Sequence, residues 1–586
     1  MQSQNTYTRS EVLVWGLLLV LGIFVLRLFY LQVIQHDHYV SEADRIQIQP
    51  LTIQPERGEL YVYDNDELVP LVLNERVYTV FADPSEIKNV SKTKQALQKI
   101  IGGELFKDVD TLLQDETGKV RYQIIARNIS RTQAEKIEKE QLRGIGLQQT
   151  NRRLYPEGAL AAQALGYLDA EGNGQYGIEG ALNDRLQGKE GLLETVTDVS
   201  KIPLTIRNDD VNKPAKDGDD LVLSINRSIQ LQAEAALKIG LERAKATKGS
   251  VLVMNPNTGH VLAMANYPTY DPAAYNKVDD YNLFQNGIVS APFENGSVIK
   301  ALTVGAGLDS GAVTINTTFN DVTGCTQVED RRICNVEDDP KSANATMLDT
   351  LRYSLNTGVV HIAKQMGDGN ISRTARDTLY DYFHNKYRFG QLTGIEQVGE
   401  SAGIIIAPDQ QEGNSVRYAN MVFGQGMDQT MVQTASAFSA EINGGTYYKP
   451  TLVAGIREQR GNVIEKEPTV VAQGVLSTAA SEQARELIWQ GRKTGFFGKF
   501  DREGYMIGGK TGTSQVIDPK TGQYSDTDSI GTYLGFGGVD KPEYVIMVKV
   551  DNAKSGGYEG TTAAGPIFND LNNWMIDYLK LQPKRN

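Results

Sequence analysis

Three short motifs in a fixed order constrain this chain more than anything else in it. They are Ser297-Val298-Ile299-Lys300, Ser354-Leu355-Asn356 and Lys510-Thr511-Gly512-Thr513. Ser354 follows Ser297 by 57 positions and Lys510 follows Ser354 by 156, so a fold that uses all three must bring distant segments together. Singly, each is equally well explained by a buried helix with a capping Ser, a helix C-terminus or a Gly-rich strand. In this order they read as the parts of an acyl-transfer site that uses serine without histidine. A serine hydroxyl is a poor nucleophile until a base takes its proton. Ser297 and Lys300, three residues apart, share one face of a helix. The stretch SVIKALTVGAGL (297–308) is apolar almost all round, which predicts a helix in a domain centre. Burial there disfavours the ammonium and lets Lys300 serve as a base. Ser297 falls at the helix N-terminus, where the backbone dipole favours developing negative charge.

The second motif closes a helical-looking stretch, MLDTLRYSLN (347–356). A Ser and an Asn two residues apart across a turn can face one cavity, relay a proton, and hold the lysine and a substrate amide. The third lies in YMIGGKTGTSQV, a predicted strand over 505–516. Glycines at 508, 509 and 512 let another backbone approach closely. Alternation sends Lys510 and Gly512 to one face, Thr511 and Thr513 to the other. A lysine with hydroxyls beside it is a carboxylate-binding set. The histidines, at 36, 38, 260, 361 and 384, lie in no Gly-x-Ser-x-Gly context, which sets aside a Ser-His-Asp hydrolase. His361 reads as a packed helix residue. No metal-ligand cluster is visible, and neither metal nor cofactor is expected.

Around these motifs the chain divides into four parts. A polar tail, 1–11, precedes the apolar run VLVWGLLLVLGIFVLRLFYLQVI (12–34), about long enough to span a bilayer. A signal peptide is the competing reading, but no small-x-small cleavage site follows, which favours an uncleaved anchor. Residues 40–210 form a mixed, strand-containing region with a charged helical stretch at SRTQAEKIEKEQLRG (130–144). The polar run Asn208 to Asp220 marks the boundary to a catalytic domain over 220–580. There, GSVLVMNPNTGHVLAMANY predicts a hairpin about Pro256 to Gly259, and SIGTYLGFGGV and PEYVIMVKVDN read as strands. The polar loop IDPKTGQYSDTDS (517–529) precedes them, and IFNDLNNWMIDYLKL (567–581) is an amphipathic helix. Strands at both ends with helices between predict an antiparallel sheet flanked by helices, α+β in class. The net charge of −13 argues against nucleic acid as a partner and leaves any substrate carboxylate to be drawn by local lysines.

The triplet resembles that of the penicillin-binding proteins and serine β-lactamases, and the wider sequence resembles class B penicillin-binding proteins. FENGSVIK (293–300) is similar to their aromatic-Glu-Pro-Gly-Ser-x-x-Lys segment, with Asn295 where Pro is usual. LVLSINRSIQLQAEAAL (221–237), GSVLVMNPNTGHVLAMANYPTYDP (249–272), FGQGMDQTMVQTASAFSAEINGG (423–445) and YLGFGGVDKPEYVIMVKVDN (533–552) match their transpeptidase domain. RLYPEGALAAQALGYLDAEGNGQYGIEGALNDRLQGKEG (153–191) resembles the pedestal, or dimerisation-type, region before it. RGELYVYDNDELVP (57–70) departs from the family, which usually shows an Asp-Arg-Asn-Gly turn there. The likeness runs from about residue 12 to about 580.

The resemblance implies a single-pass membrane protein with an extracytoplasmic catalytic domain, cross-linking peptidoglycan stem peptides as a D,D-transpeptidase. It assigns the nucleophile to Ser297, the general base to Lys300, a proton relay to Ser354, and the holding of Lys300 and donor peptide to Asn356. Lys510, Thr511 and Thr513 would bind the terminal carboxylate, with Gly512 in the same substrate-binding strand. The backbone N–H groups of Ser297 and Thr513 would form the oxyanion hole. Implied partners are lipid-linked stem peptides, β-lactams, the membrane, and a polytopic glycan polymerase of the shape-elongation-division-sporulation family. Hydrolysis of the acyl-enzyme, as in a D,D-carboxypeptidase or β-lactamase, is the alternative within enzymes. A wall-synthesis scaffold or β-lactam sensor is the alternative outside them. Cys325 and Cys334 flank TQVEDRRI and, on the outer side of a membrane, fit a hairpin disulfide, two free thiols being the alternative.

Overall fold

The computed structural model describes residues 8–39, 48–114, 120–196, 211–337, 339–458, 461–517, 524–554 and 559–584. The chain divides into two units, residues 1–57 with 187–218, and residues 58–186 with 219–586. In the first unit the apolar run is helical, which satisfies its backbone groups within the segment, as a bilayer span would require. Helix α1 (Arg9–Phe29) continues into a π-helical turn, Tyr30–Ile34, and Thr8 with Glu11 closes a capping box at its start. Its side chains are exposed throughout, and among the described residues no other helix is long and apolar enough to cross a membrane. Residues 1–7 of the expected tail lie outside the described residues. The same unit holds a three-stranded antiparallel sheet of Ile48–Ile53, Gly191–Val196 and Val211–Lys213.

The larger unit begins with β1 (Leu60–Asp64), which turns back into the long strand β2 (Glu67–Ala82). β2 pairs antiparallel with both β3 (Gln123–Ile129) and β4 (Ile145–Leu154). β5 (Asp220–Asn226) runs parallel to β1, and two strands from far along the chain, Val453–Arg457 and Val463–Glu465, extend this sheet beyond β5. The segments on either side of the expected boundary at 208–220 therefore share one seven-stranded sheet. Residues 208–210 of that boundary lie outside the described residues. Arg153 on β4 is buried and donates to Glu179 (2.8 Å), Asn74 (2.8 Å) and the Gly58 carbonyl (2.7 Å), so each of its nitrogens has an acceptor and Glu179 balances its charge.

A second sheet builds the catalytic half. After α2 (Arg227–Ala244), β6 (Lys248–Met254) and β7 (Val261–Tyr267) form the hairpin that the pattern predicts, turning at Gly259. Three strands from the C-terminal part complete it: β8 (Met506–Ile517), β9 (Tyr524–Gly538) and β10 (Pro542–Asp551), in the order β7-β6-β10-β9-β8, all antiparallel. The loop expected over 517–529 is shorter: residues 518–523 lie outside the described residues, and Tyr524 onward is strand. Period-two alternation splits β6 cleanly. Val251 and Val253 pack with α2 and the C-terminal helix, whereas Leu252 and Met254 face the other side. On that other side lie α3 (Ile299–Asp309), α4 (Met347–Arg352), α5 (Asn356–Gln365) and α6 (Met431–Ile442), and the C-terminal helix is α7 (Gly565–Tyr578). α3 is buried from Ile299 to Gly307 because it is enclosed by helices and sheet together.

Candidate active site

Ser297 sits in a 3₁₀ turn, Gly296–Val298, that leads directly into α3. It is half-buried, whereas Lys300, one turn on, is 1% exposed. Lys300 Nζ donates to Ser354 Oγ (3.1 Å) and to the Ser354 carbonyl, which joins the first two motifs. Burial pushes the Lys300 ammonium well below the usual lysine range, and the charge of Lys510 pushes it the same way while Asp339 opposes. Burial thus favours the neutral amine, the form in which a lysine can accept a proton. His361, on α5, stacks on Phe319 as a packing residue.

Ser354 lies in the turn between α4 and α5 and takes φ +60°, a left-handed conformation that costs a non-glycine residue free energy. Asn356 opens α5. Its amide donates to the Cys334 carbonyl (2.8 Å), not to Lys300, so Ser354 is the member of this motif that holds the lysine here. Cys334 is disulfide-bonded to Cys325 across a two-stranded hairpin, Cys325–Val328 with Arg331–Cys334. The next residue, Asn335, accepts from the Thr357 backbone N–H (3.0 Å) and donates to Asp321 (2.8 Å). The disulfide hairpin thus anchors the N-terminus of α5, and with it the second motif.

The third motif lies in β8. Lys510, Gly512 and Ser514 are buried while Thr513 and Gln515 are exposed, as alternation predicts. Lys510 Nζ donates to the Thr511 carbonyl (2.9 Å) and hydroxyl (3.2 Å). The tasks expected of the two differ: Lys300 should be neutral part of the time, and Lys510 should stay charged to attract a carboxylate. Burial lowers both, bringing Lys510 to about 7, with Asp339 pulling upward. Asp339, in the loop after the disulfide hairpin, is the carboxylate felt by both lysines, and its own carboxyl is raised by burial.

Glycines bring the first and third motifs into backbone contact. Gly296 has φ +65°, and a Cβ there would lie 2.7 Å from the Thr513 carbonyl oxygen and 3.2 Å from the Thr513 nitrogen. Gly424, at φ +88°, stacks beneath it, its missing Cβ 2.0 Å from the Gly296 oxygen, and the Gly424 carbonyl accepts from Gly296 N–H (3.0 Å). A Cβ on Gly512 would lie 2.8 Å from the Asn295 carbonyl. The backbone just before Ser297 and the backbone of Gly512 and Thr513 therefore lie in close contact. Asn295, fully buried, donates its amide to the Phe293 and Gln429 carbonyls (3.1 Å each), and its own carbonyl accepts from Thr532 Oγ1 (3.1 Å). Its side chain ties down the loop where the family usually relies on Pro.

Sequence reasoning missed Gly424 as a partner of Gly296, Asn335 and Asp339 beside the second motif, and Glu294. Glu294 is buried three residues before Ser297; it accepts from Gly426 N–H (2.6 Å) and from the Tyr524 hydroxyl (3.0 Å). Glu294 and Gly424 lie inside segments already singled out, FENGSVIK and FGQG, so their positions were visible though their contacts were not.

Residues 249–573 match the penicillin binding protein transpeptidase domain, and residues 52–223 match the penicillin-binding protein dimerisation domain. The chain is 29% identical over 593 residues to the stage V sporulation protein D of Bacillus subtilis, covering 100% of this chain and 88% of that protein. It is 28% identical over 567 residues to the probable peptidoglycan D,D-transpeptidase PenA of Neisseria meningitidis, covering 96% of this chain and 91% of that one. Its fold is similar to the crystal structure of penicillin binding protein 2X from Streptococcus thermophilus, with a TM-score of 0.70 at 23% identity over 91% of this chain and 81% of that one.

Proposed function

The chain belongs to the penicillin-binding transpeptidase family, and from that premise we propose that it is a D,D-transpeptidase that cross-links peptidoglycan stem peptides through an acyl-enzyme on Ser297. The observation that carries this reading is the buried amine of Lys300, one helical turn from Ser297 and bonded to Ser354 (3.1 Å). In the first step Ser297 Oγ bonds to the penultimate D-alanine carbonyl carbon while Lys300 takes the hydroxyl proton. The C–N bond to the terminal D-alanine then breaks, and the proton passes from Lys300 through Ser354 Oγ to the leaving amine. The N–H groups of Ser297 and Thr513 face the developing oxyanion, each such donor contributing roughly 3–4 kcal/mol. Lys510, Thr511 and Thr513 receive the terminal carboxylate, whose charge favours the ammonium form of Lys510 that burial disfavours. In the second step an amine from a neighbouring stem attacks the ester and returns the hydroxyl to Ser297. Asn356 contributes by fixing the second motif to the disulfide hairpin and by offering its amide to the donor peptide.

The apolar helix supports a single-pass anchor, and the Cys325–Cys334 bond supports an oxidising, extracytoplasmic setting for the catalytic domain. β-Lactams acylate the same serine, and a polytopic glycan polymerase supplies the strands to be cross-linked. Incubation of the full chain in detergent with a D-alanyl-D-alanine peptide and an amine acceptor tests the reaction. The expected result is released D-alanine together with the new amide, both absent in Ser297→Ala. An unchanged yield from Ser297→Ala would refute the assignment.

A further inference from the structure

Glu441, on α6, carries a carboxyl group sealed in the core of the catalytic half, and the reaction described above does not use it. Glu441 and its neighbour Tyr387 are both 0% exposed. The carboxyl lies against α3, in the space that a side chain at Gly305 would need: a Cβ there would meet Oε1 at 2.7 Å and Oε2 at 3.1 Å. Tyr387 closes the π-helical turn Asp381–Lys386, and its hydroxyl lies 3.2 Å from Glu441 Oε2 and 3.1 Å from the Leu302 carbonyl of α3. Among the described residues Glu441 Oε1 has no hydrogen-bond partner. The acid and the phenol therefore meet the middle of the helix that carries Lys300.

Counting protons fixes the state of this group. Tyr387 has one hydroxyl proton and two oxygens in reach, Leu302 O and Glu441 Oε2. A carboxylate could receive that proton only by taking it from the Leu302 carbonyl, and its other oxygen would stay charged, buried and without a donor. A carboxylic acid closes the chain: Glu441 donates to Tyr387 Oη, and Tyr387 donates to Leu302. The surroundings offer a negative charge no cation. Burial pushes the Glu441 carboxyl well above the usual range, and Tyr387 is the one side chain that opposes it. Beyond Tyr387 lie Tyr382 and Asp309, and Asp309 is already bonded by Tyr382 (2.7 Å) and Lys386 (3.2 Å). On α3, Lys300 answers to Lys510 and Asp339. The helix Thr478–Thr494 meets α6 through Ser481 and Arg485, which donate to the Glu441 and Ile442 carbonyls. Tyr447, on the strand after α6, answers to Ser436, Arg388 and Glu400. β6 and β10 bring only apolar side chains to this core, Leu252, Met254, Val545 and Met547.

We propose that Glu441 is a pH-sensitive pin: as a neutral acid it fastens α3 to Tyr387, and its ionisation in alkaline solution loosens that helix. The inference stands apart from the acyl-transfer reading, since it concerns the helix and not the reaction at its start. When α3 opens, Glu441 meets water and becomes an ordinary carboxyl, so opening releases a proton wherever the closed form still holds one. Linkage then makes the opening equilibrium grow up to about tenfold per pH unit above the ordinary carboxylate range, until the closed form itself ionises. Amide hydrogen exchange of the full chain in detergent, between about pH 5 and 9, reads this by mass spectrometry on peptides spanning residues 299–309. Glu441→Gln keeps a donor for Tyr387 but has no proton to release. Against that variant at the same pH, the unaltered protein is expected to lose protection in α3 as pH rises, while β2 exchanges alike in both. The infrared spectrum at pH 7 gives a second reading: the carbonyl band of a protonated carboxylic acid is expected in the unaltered protein and is lost in Glu441→Gln. Equal α3 protection in the two proteins at every pH, or no such band lost, would overturn the proposal. If Glu441→Gln is not recovered folded, Tyr387→Phe decides. Removing the acid's acceptor should shift the band, and an unmoved band would overturn the proposal equally.

Discussion

Lys300→Arg keeps a positive charge at the base position but removes a group that can be neutral there, because guanidinium does not deprotonate in a protein. In the structure Lys300 is 1% exposed and its amine meets Ser354 Oγ at 3.1 Å, so solvent cannot supply a replacement base along that path. General-base catalysis contributes about 10²–10⁴ in rate, which is about 3–5 kcal/mol of barrier. Lys300→Arg is therefore expected to lose acylation by a factor in that range. Lys510→Arg should retain measurable acylation, since a charged donor still meets the carboxylate. The two also differ in pH dependence. The pKa of Lys510 is lowered to about 7, so in the free protein its cation is present below that pH and lost above it. Attraction of the carboxylate falls on the alkaline side, and kcat/KM for acylation acquires an alkaline limb near neutrality. Lys510→Arg is expected to remove this limb, because arginine stays charged. Acylation rates of the full chain with a fluorescent penicillin, between about pH 5 and 9, measure both effects. If Lys300→Arg reacts as fast as Lys510→Arg, Lys300 is not the base. If Lys510→Arg keeps the alkaline limb, Lys510 is not its source.

Gly424→Ala places a methyl 2.0 Å from the Gly296 carbonyl at a φ of +88°, forcing apart the stack that aligns the oxyanion donors; penicillin acylation should fall about 10²-fold or more, the cost of one lost donor, and an unchanged rate would show that the stack does not set the alignment. Cys325→Ser with Cys334→Ser opens a short loop, which lowers stability by about 2–3 kcal/mol on the chain-entropy estimate, read from urea unfolding; because Asn356 hangs on the Cys334 carbonyl, acylation should slow as well, and an unaltered rate would count against the hairpin as an anchor of the second motif.

Motif spacing made the site's membership legible because each motif's chemistry is carried by residue type. A serine, two lysines and hydroxyls in that order have few other uses together. The hairpin of β6 and β7, the alternation in β8 and the apolar α3 were legible for the same reason, since burial on one face writes a period into the sequence and burial on all sides an unbroken apolar run. What the sequence could not disclose depends on contacts between distant segments. That Asn356 reaches Cys334 and not Lys300 depends on where a hairpin 22 residues upstream is anchored. That Lys510 shares the desolvation of Lys300 depends on how tightly β8 packs against the turn that leads into α3, and both lysines feel Asp339, from a loop no motif marks. The sheet joining β5 to β1 was hidden behind a polar run that reads as a domain boundary, although β5 is hydrogen-bonded across it. Gly424 lay in plain view in FGQG, but only its position under Gly296 explains why no side chain is tolerated there.

The central claim is that Ser297 carries the acyl group. Incubating the full chain with benzylpenicillin and mapping the adduct by peptide mass spectrometry tests it most directly. The account predicts one stable adduct, on the peptide containing Ser297, and none in Ser297→Ala. An adduct on any other residue, or undiminished labelling of Ser297→Ala, would contradict it.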